Sequence, residues 1–136
     1  MRRIAFVTGT RADFGKLSPL INAVRSTRLF DYDVIATGMH MMSAFGYTFN
    51  QIVKAGHENI FPIFNQSSGT THRMDLALAT TITLFSHYVH ERKPNLIVVH
   101  GDRIEALAAV IVGNLNNVKV AHIEGGEVSG TVDECL

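Results

Sequence analysis

Short runs of apolar residues recur along the chain, and each run ends in a turn of glycine and polar residues. Such runs predict strands of a parallel sheet that is buried on both faces, and the longer stretches between them suit helical crossovers. The predicted strands are residues 3–8, 32–36, 59–64, 95–99 and 119–123. Pro62 weakens the third of these and places it at an edge of the sheet. The pattern therefore predicts an α/β fold built on a doubly wound parallel sheet.

The segments between the strands carry apolar residues at helical spacing. The first predicted helix begins at Ala12 or Asp13 and has Pro19 in or near its first turns, where a missing amide hydrogen does least damage. Two more helices are predicted at residues 73–91 and 104–115, and residues 39–52 are interpreted as a short helix and a loop. Six apolar side chains of the long helix are expected to be available to face the sheet: Met74, Leu76, Leu78, Ile82, Leu84 and Phe85.

Three turns with charged residues follow predicted strands, and they carry Arg11, Asp102 and Glu124. In the usual doubly wound order the first strand lies beside the strand at residues 95–99, so these side chains are expected in neighbouring positions along one rim. Gly9 lets a ligand approach the backbone closely, and helices that begin at this rim direct amide hydrogens towards an anion. The sequence predicts a binding pocket at this rim, although each turn alone is also compatible with an ion-pair network that caps the sheet.

The composition excludes several classes of protein. The 136 residues suffice for one domain, and 12 basic residues balance 12 acidic ones, so no broad cationic face is expected for nucleic acid or anionic lipid. Cys135 is the single cysteine and cannot form an internal disulfide, which fits a reducing compartment. Because no apolar run is long enough to span a bilayer and no signal pattern is recognisable, we expect a cytoplasmic protein with neither nucleic-acid nor membrane partners.

Four segments of the chain, taken in order, resemble one known family. They are residues 8–15 (TGTRADFG), residues 37–40 (TGMH) with 45–48 (FGYT), residues 100–108 (HGDRIEALA) and residues 122–134 (HIEGGEVSGTVDE). These segments resemble the UDP-N-acetylglucosamine 2-epimerases, and they are most similar to the hydrolysing branch that feeds sialic acid synthesis.

The resemblance implies a fold and a domain organisation. It implies the Rossmann-like N-terminal domain of a two-domain GT-B fold, with UDP-N-acetylglucosamine or a related UDP-amino sugar bound in the cleft between the domains. Residues 1–136 are then a truncated N-terminal domain that lacks the second nucleotide-binding domain, and a chain of this length is expected to be inactive alone. An apolar face left uncovered in such a domain favours a homo-oligomer.

The resemblance also implies a reaction. Family members eliminate UDP across C1 and C2 to leave a 2-acetamidoglucal and then add water to release N-acetylmannosamine, without a metal or other cofactor. Such chemistry needs a base for the C2 proton and an acid or cation for the departing phosphate. The matching residues are Asp102, Glu124 and Asp133 for the proton transfers taken together, Arg11 and Arg103 for the diphosphate, and His40 in the same cleft as Gly9.

Three alternatives stay open. The first is a non-hydrolysing epimerase, which makes UDP-N-acetylmannosamine and usually carries Arg-Pro-Glu where this chain has residues 11–13 (RAD). The second is a non-catalytic nucleotide-sugar-binding or assembly fragment. The third is a zinc site at the strand ends, which the nearby arginines disfavour; its ligands would be His100, Asp102, His122 and Glu124.

Overall fold

The computed structural model describes residues 2–37, 49–57, 59–63, 74–101 and 103–123, apart from the side chains of Arg11 and Phe49. Strands and helices alternate along this part of the chain. They are β1 (Arg3–Thr8), α1 (Arg11–Thr27), β2 (Asp31–Ala36), α2 (Phe49–Lys54), β3 (Ile60–Pro62), α3 (Met74–Arg92), β4 (Leu96–His100), α4 (Ile104–Leu115) and β5 (Lys119–Ile123).

The strands form one parallel sheet in the order β3-β2-β1-β4-β5. The predicted doubly wound α/β fold is confirmed, including the position of β1 beside β4 and of the Pro62-containing strand at an edge. Because all the strands run the same way, the carboxyl ends of β1, β4 and β5 lie next to one another. The strand order thus sets the place of a ligand site before any side chain is considered.

Successive residues of β1 point to opposite faces of the sheet, and each face has its own apolar core. Ala5 and Val7 pack in the core that α3 and α4 cover, whereas Ile4 and Phe6 pack in the core beneath α1 and α2. Both cores are continuous with the neighbouring strands. The continuous apolar run in β1 is therefore explained by burial on both sides.

Helix α1 differs from its predicted form at Pro19, which lies well inside the helix and not in its first turns. The helix continues because Leu17 and Ile21 are completely buried and hold one face against the sheet. Pro19 and Gly15, the residue whose carbonyl loses its hydrogen bond, both lie on the exposed side. Water can solvate that carbonyl, so the proline is tolerated.

The prediction for the face of α3 was only partly right. Phe85 is fully buried and Leu78 and Ile82 are half-buried, whereas three other members of the predicted set, Met74, Leu76 and Leu84, are exposed. Helix α3 packs against α4 as well as the sheet, and this second contact rotates smaller residues into the core. In the part of the chain that the structure describes, no helix is long and apolar enough to cross a membrane.

The remaining element bounds agree closely with the predictions. The bounds predicted for β1, α4 and β5 are confirmed, and those of β2, α3 and β4 differ by one residue at one or both ends. The third strand is shorter than predicted, and its predicted last residue, Phe64, lies outside the described residues. Of the segment interpreted as a short helix and a loop, residues 39–48 also lie outside them, and α2 occupies the rest.

A buried acid joins three elements near the amino ends of the strands. Asp33 has no exposed surface, and its carboxylate accepts hydrogen bonds from Arg3 Nη1 at 2.9 Å, Tyr88 Oη at 2.7 Å and Arg92 Nη2 at 3.0 Å. Burial and the hydrogen bond to Asp33 raise the pKa of Tyr88 above its ordinary value, so its hydroxyl remains a donor. The hydrogen bond to Asp33 also raises the pKa of Arg92. Sequence analysis did not single out this cluster.

Candidate functional site

The turn between β1 and α1 is fixed by its own hydrogen bonds. Thr10 caps α1, because its side-chain oxygen accepts a hydrogen bond from the Asp13 amide at 3.1 Å. Asp13 Oδ2 in turn accepts a hydrogen bond from the Gly9 amide at 3.2 Å. These two contacts form a reciprocal cap that holds the backbone next to the end of β1.

Asp13 also reaches across to the end of β4. Its Oδ1 lies 2.8 Å from Nδ1 of His100, and both side chains are largely buried. With Asp13 ionised, the carboxylate can only accept, so Nδ1 carries the hydrogen and the imidazole ring is held in one orientation. The pair joins α1 to β4 at the predicted site, yet Asp13 was assigned no role from the sequence, and His100 only that of a ligand in the disfavoured zinc alternative. The sequence did contain a signal for this pair. It is an acidic residue at the third position of a capped helix, in a fold that places β1 beside β4.

The turn after β4 is anchored by hydrogen bonds to both the amide and the carbonyl of Gly101. The Gly101 amide donates to Ile123 O at 3.0 Å, and Nε2 of His122 donates to the Gly101 carbonyl. Gly101 has a φ of 78°, a conformation that glycine adopts without a penalty. The ends of β4 and β5 are thereby fastened together directly before positions 102 and 124 of the sequence.

Arg103 and Glu105 form an ion pair at the beginning of α4. Arg103 Nη2 lies 3.0 Å and Nε 3.4 Å from the same oxygen, Glu105 Oε1. Glu105 is only 3% exposed, and its other oxygen, Oε2, has no hydrogen-bond partner among the described residues. Arg103 is 30% exposed, so its guanidinium lies between a buried acid and solvent.

Gly9 packs directly against this ion pair. A Cβ atom added at Gly9 would lie 3.1 Å from Glu105 Oε1 and 3.5 Å from Arg103 Nε. A side chain at Gly9 would therefore press against Glu105 Oε1, which would have to move by a few tenths of an ångström. Sequence analysis proposed a close approach at Gly9 but attributed it to a ligand, and it missed Glu105.

Of the predicted site residues, the structure brings Gly9 and Arg103 together. The other predicted site residues lie outside the description: the side chain of Arg11, and His40, Asp102, Glu124 and Asp133. Among the residues that are described, no group of three or more His, Cys, Asp or Glu side chains is arranged to hold a metal ion. His100 and His122, two members of the alternative zinc set, are instead hydrogen-bonded to Asp13 and to the Gly101 carbonyl.

The arrangement suits recognition of an anion. The amide groups at the start of α4 and the Arg103 guanidinium lie at one rim, where Arg103 and Glu105 pack against Gly9. The Asp13–His100 pair adds a fixed ring at the end of the neighbouring strand. Such a rim can bind a phosphate group and stabilise the charge that develops on it when it leaves.

Comparisons with known proteins agree with this architecture. A family profile described as UDP-N-acetylglucosamine 2-epimerase matches residues 22–136. A UDP-N-acetylglucosamine 2-epimerase of Neisseria meningitidis serogroup B is 43% identical over 136 residues, which are 100% of this chain and 36% of that protein. A UDP-N,N'-diacetylbacillosamine 2-epimerase (hydrolyzing) of Legionella pneumophila is 35% identical over 138 residues, again covering 100% of this chain and 36% of that protein.

A solved structure has the same fold. The UDP-GlcNAc 2-epimerase of Methanocaldococcus jannaschii superposes with a TM-score of 0.77 at 25% identity, covering 97% of this chain and 34% of that one. The expected Rossmann-like domain of a GT-B fold is thereby confirmed. The chain spans about a third of the length of the relatives that it matches. It belongs to the UDP-N-acetylglucosamine 2-epimerase family.

Proposed function

We propose that this chain provides the Rossmann-like half of a hydrolysing UDP-N-acetylglucosamine 2-epimerase, which converts UDP-N-acetylglucosamine and water into N-acetylmannosamine and UDP. Family membership supports an epimerase, and the relative from Legionella that is named as hydrolysing supports that branch. The observation that carries the proposal is the convergence of Gly9, Arg103 and the Asp13–His100 pair at the carboxyl ends of β1 and β4.

The described residues serve binding and orientation in this proposal. Arg103 and the first amides of α4 hold the diphosphate. The positive charge of the guanidinium and the partial positive charge of the amide hydrogens favour its departure. Gly9 leaves the space in which Glu105 Oε1 and Arg103 Nε pack beside the backbone of this rim. Arg11 is a second cation for the diphosphate and His40 a further residue of the cleft, and both assignments stay predictions.

The proton transfers are proposed for Asp102, Glu124 and Asp133 taken together. The hydrogen bond from the Gly101 amide to Ile123 O supports the convergence of the first two, because it joins the ends of the strands that precede them. Removal of the C2 proton and its replacement from the opposite face need at least two groups that exchange protons. A site of this kind needs no metal ion for the elimination itself.

The proposal extends to the context of the reaction. The substrate is UDP-N-acetylglucosamine or a related UDP-amino sugar, and the name of the Legionella relative keeps diacetamido sugars within that class. The assignment of residues 1–136 as one domain of a larger site, a homo-oligomeric assembly and a cytoplasmic location all stay predictions. The exposed apolar residues Met74, Leu76 and Leu84 on α3 support the assembly.

Product analysis tests the reaction. The complete gene product is incubated with UDP-N-acetylglucosamine in D₂O, and the sugars are identified by NMR. We expect free N-acetylmannosamine that carries deuterium at C2, because elimination removes the C2 hydrogen and solvent supplies the new one. UDP-N-acetylmannosamine as the product would support the non-hydrolysing alternative, which the relatives also allow. Binding of the substrate without any turnover would support a binding module.

A further inference from the structure

Glu105 is a buried carboxylate to which the proposed reaction gives no role. It lies in the first turn of α4 between the apolar residues Ile104 and Ala106, and all three side chains are buried. A carboxylate at such a position costs free energy unless it is well paired, and an apolar residue would fill the space more cheaply. An acid in the first turn of a helix gains a small stabilisation from the helix dipole, which does not require burial.

The pairing of Glu105 is incomplete as a structural ion pair. A strong arginine–carboxylate pair uses both oxygens in two parallel hydrogen bonds. Here Arg103 Nε and Nη2 share Oε1, and Oε2 is buried without a partner among the described residues. The contact therefore gives less stability than the same two groups could give, and it holds the Nε–Nη2 edge of the guanidinium.

Gly9 completes the restraint on this edge. A Cβ added at Gly9 would lie 3.1 Å from Glu105 Oε1 and 3.5 Å from Arg103 Nε, so the backbone at Gly9 limits the movement of both groups towards β1. Because the guanidinium is planar, its end-on edge, formed by Nη1 and the second hydrogen of Nη2, faces a different direction from the Nε–Nη2 edge that holds Glu105. The end-on edge is the one that can meet a phosphate oxygen in a bidentate contact.

We infer that Glu105 is a positioning residue of the anion site, which acts by holding the Nε–Nη2 edge of Arg103 so that the other edge meets the diphosphate. The inference rests on the proposed function, because that function puts an anionic diphosphate at Arg103. Glu105 touches no substrate in this account. Its effect passes entirely through the guanidinium of Arg103.

Charge and positioning predict opposite effects of Glu105→Gln on ligand binding. A carboxylate beside an anion site repels the ligand, so removing its charge should strengthen binding if electrostatics alone matter. If Glu105 positions Arg103, the neutral amide holds the guanidinium less firmly and binding should weaken. A purely structural role would change the stability of the fold and leave affinity unaltered. The sign of the change in affinity therefore separates the three cases.

The experiment compares variants of the complete gene product by calorimetry with UDP as the probe. We expect Glu105→Ala to weaken UDP binding about tenfold, the effect of losing one charge-assisted hydrogen bond, and Glu105→Gln to weaken it by a smaller factor. Arg103→Met should abolish the effect of Glu105→Ala in the double variant, because both changes remove one interaction. Glu91→Gln, at an exposed acid in α3, is the matched control and should bind as the wild type does.

A second measurement needs no ligand and is made on the same samples. The ¹⁵N relaxation of the Arg103 Nε–H group should report a rigid side chain in the wild type and a mobile one in Glu105→Gln. Weaker UDP binding together with a mobile Arg103 supports the inference. Unchanged or tighter binding by Glu105→Gln overturns it, whether or not Arg103 becomes mobile. A wild-type protein that binds no UDP would instead overturn the proposed function and the inference with it.

Discussion

Each end of the sheet contains a buried acid paired with arginine, and the two acids differ in how completely they are hydrogen-bonded. At the amino ends of the strands, the buried Asp33 carboxylate is shared by Arg3, Tyr88 and Arg92, which saturate both of its oxygens. At the carboxyl ends, the buried Glu105 carboxylate has one arginine and one oxygen without a partner in the described part of the chain. Acid–arginine pairs therefore stabilise the fold at one end and are left incomplete at the other.

The other buried unpaired side-chain atoms do not all lie at the carboxyl ends of the strands. Three buried side-chain atoms lack hydrogen-bond partners in the described ranges, and two of them, Thr37 Oγ1 and Glu105 Oε2, follow or lie beside the carboxyl ends of strands. The third is Nε2 of His57, on the α1 face of the sheet. Unpaired polar atoms are costly, so these atoms mark places where the described residues alone do not complete the hydrogen bonding.

The largest predicted effect is on stability at the amino end. Asp33→Ala should lower the free energy of unfolding by about 3–5 kcal/mol, because it leaves two guanidinium groups without their buried partner. Asp31→Ala is the matched control in the same strand, since Asp31 is half exposed and lies 3.7 Å from Arg3, and it should cost at most about 1 kcal/mol. Urea unfolding followed by circular dichroism measures both. Equal losses in the free energy of unfolding for the two variants would contradict the argument that burial of the acid sets the cost.

The next effect concerns the carboxyl end. Gly9→Ala should cost about 1–3 kcal/mol and also weaken UDP binding, because the new methyl group presses on Glu105 Oε1, the oxygen that holds Arg103. Gly15→Ala provides the contrast, since a Cβ there meets nothing within 4 Å. In a helix that change should stabilise the protein by about 0.5–1 kcal/mol. Urea unfolding and calorimetry with UDP measure both consequences, and a Gly9→Ala protein that binds UDP as tightly as the wild type would contradict the packing argument.

Sequence reasoning succeeded where the pattern depends on the backbone and on two-sided burial. The run of apolar residues in β1 predicts its bounds because both faces of the sheet are covered, and the neighbours of β1 follow from the preference for right-handed crossovers. The pattern at α3 was less informative because that helix is apolar on several sides. Packing against α4 then decides which residues, such as Phe85 and Leu84, are inside or outside.

Single buried charges were the part of the site that the sequence could not reveal. Asp33 stands within an apolar run, which predicts a strand and gives no sign of a buried ion pair. The three residues that donate hydrogen bonds to it lie far from it along the chain. Glu105 has the sequence pattern of an ordinary first-turn acid, and its burial beside Gly9 is evident only from the structure. Long-range partners decide whether a charge is solvated, and local patterns do not contain them.

His57 provides a smaller effect that depends on pH. Burial, together with the charge of Arg25, lowers the pKa of His57 below its ordinary value of 6.5, and the ring is hydrogen-bonded to the hydroxyl of Tyr32. Below pH 6.5 the unfolded chain therefore binds a proton that the folded chain does not. The His57 contribution to the free energy of unfolding should fall with decreasing pH, by at most about 1.4 kcal/mol per pH unit.

Urea titrations between pH 7 and pH 5 measure this dependence. In His57→Gln the free energy of unfolding should lack this dependence on pH. In His87→Gln, a change at an exposed position of α3, the dependence should remain. Identical slopes for the wild type and His57→Gln would show that the ring titrates as an exposed histidine does.

The smallest predicted effect concerns the Asp13–His100 pair. Asp13→Asn should cost about 1 kcal/mol of stability, because an amide is a weaker acceptor for the Gly9 amide and for the ring. The more specific readout is the tautomer of His100, measured from the ¹⁵N shifts of the ring. In the wild type the hydrogen should reside on Nδ1, and the variant should contain a mixture of tautomers. A wild-type ring protonated only on Nε2 would contradict the assigned hydrogen bond.

Under the proposed function, the carboxyl ends of β1 and β4 bind the nucleotide sugar and the amino ends serve stability alone. Titration of UDP-N-acetylglucosamine into isotopically labelled protein, followed by NMR, tests this most directly. The account predicts shift changes at the amides of Gly9, Gly101 and Arg103 and none at Asp33 or Arg92. Changes confined to the Asp33 end, or a saturating titration that leaves Gly9 and Arg103 unaltered, would contradict it.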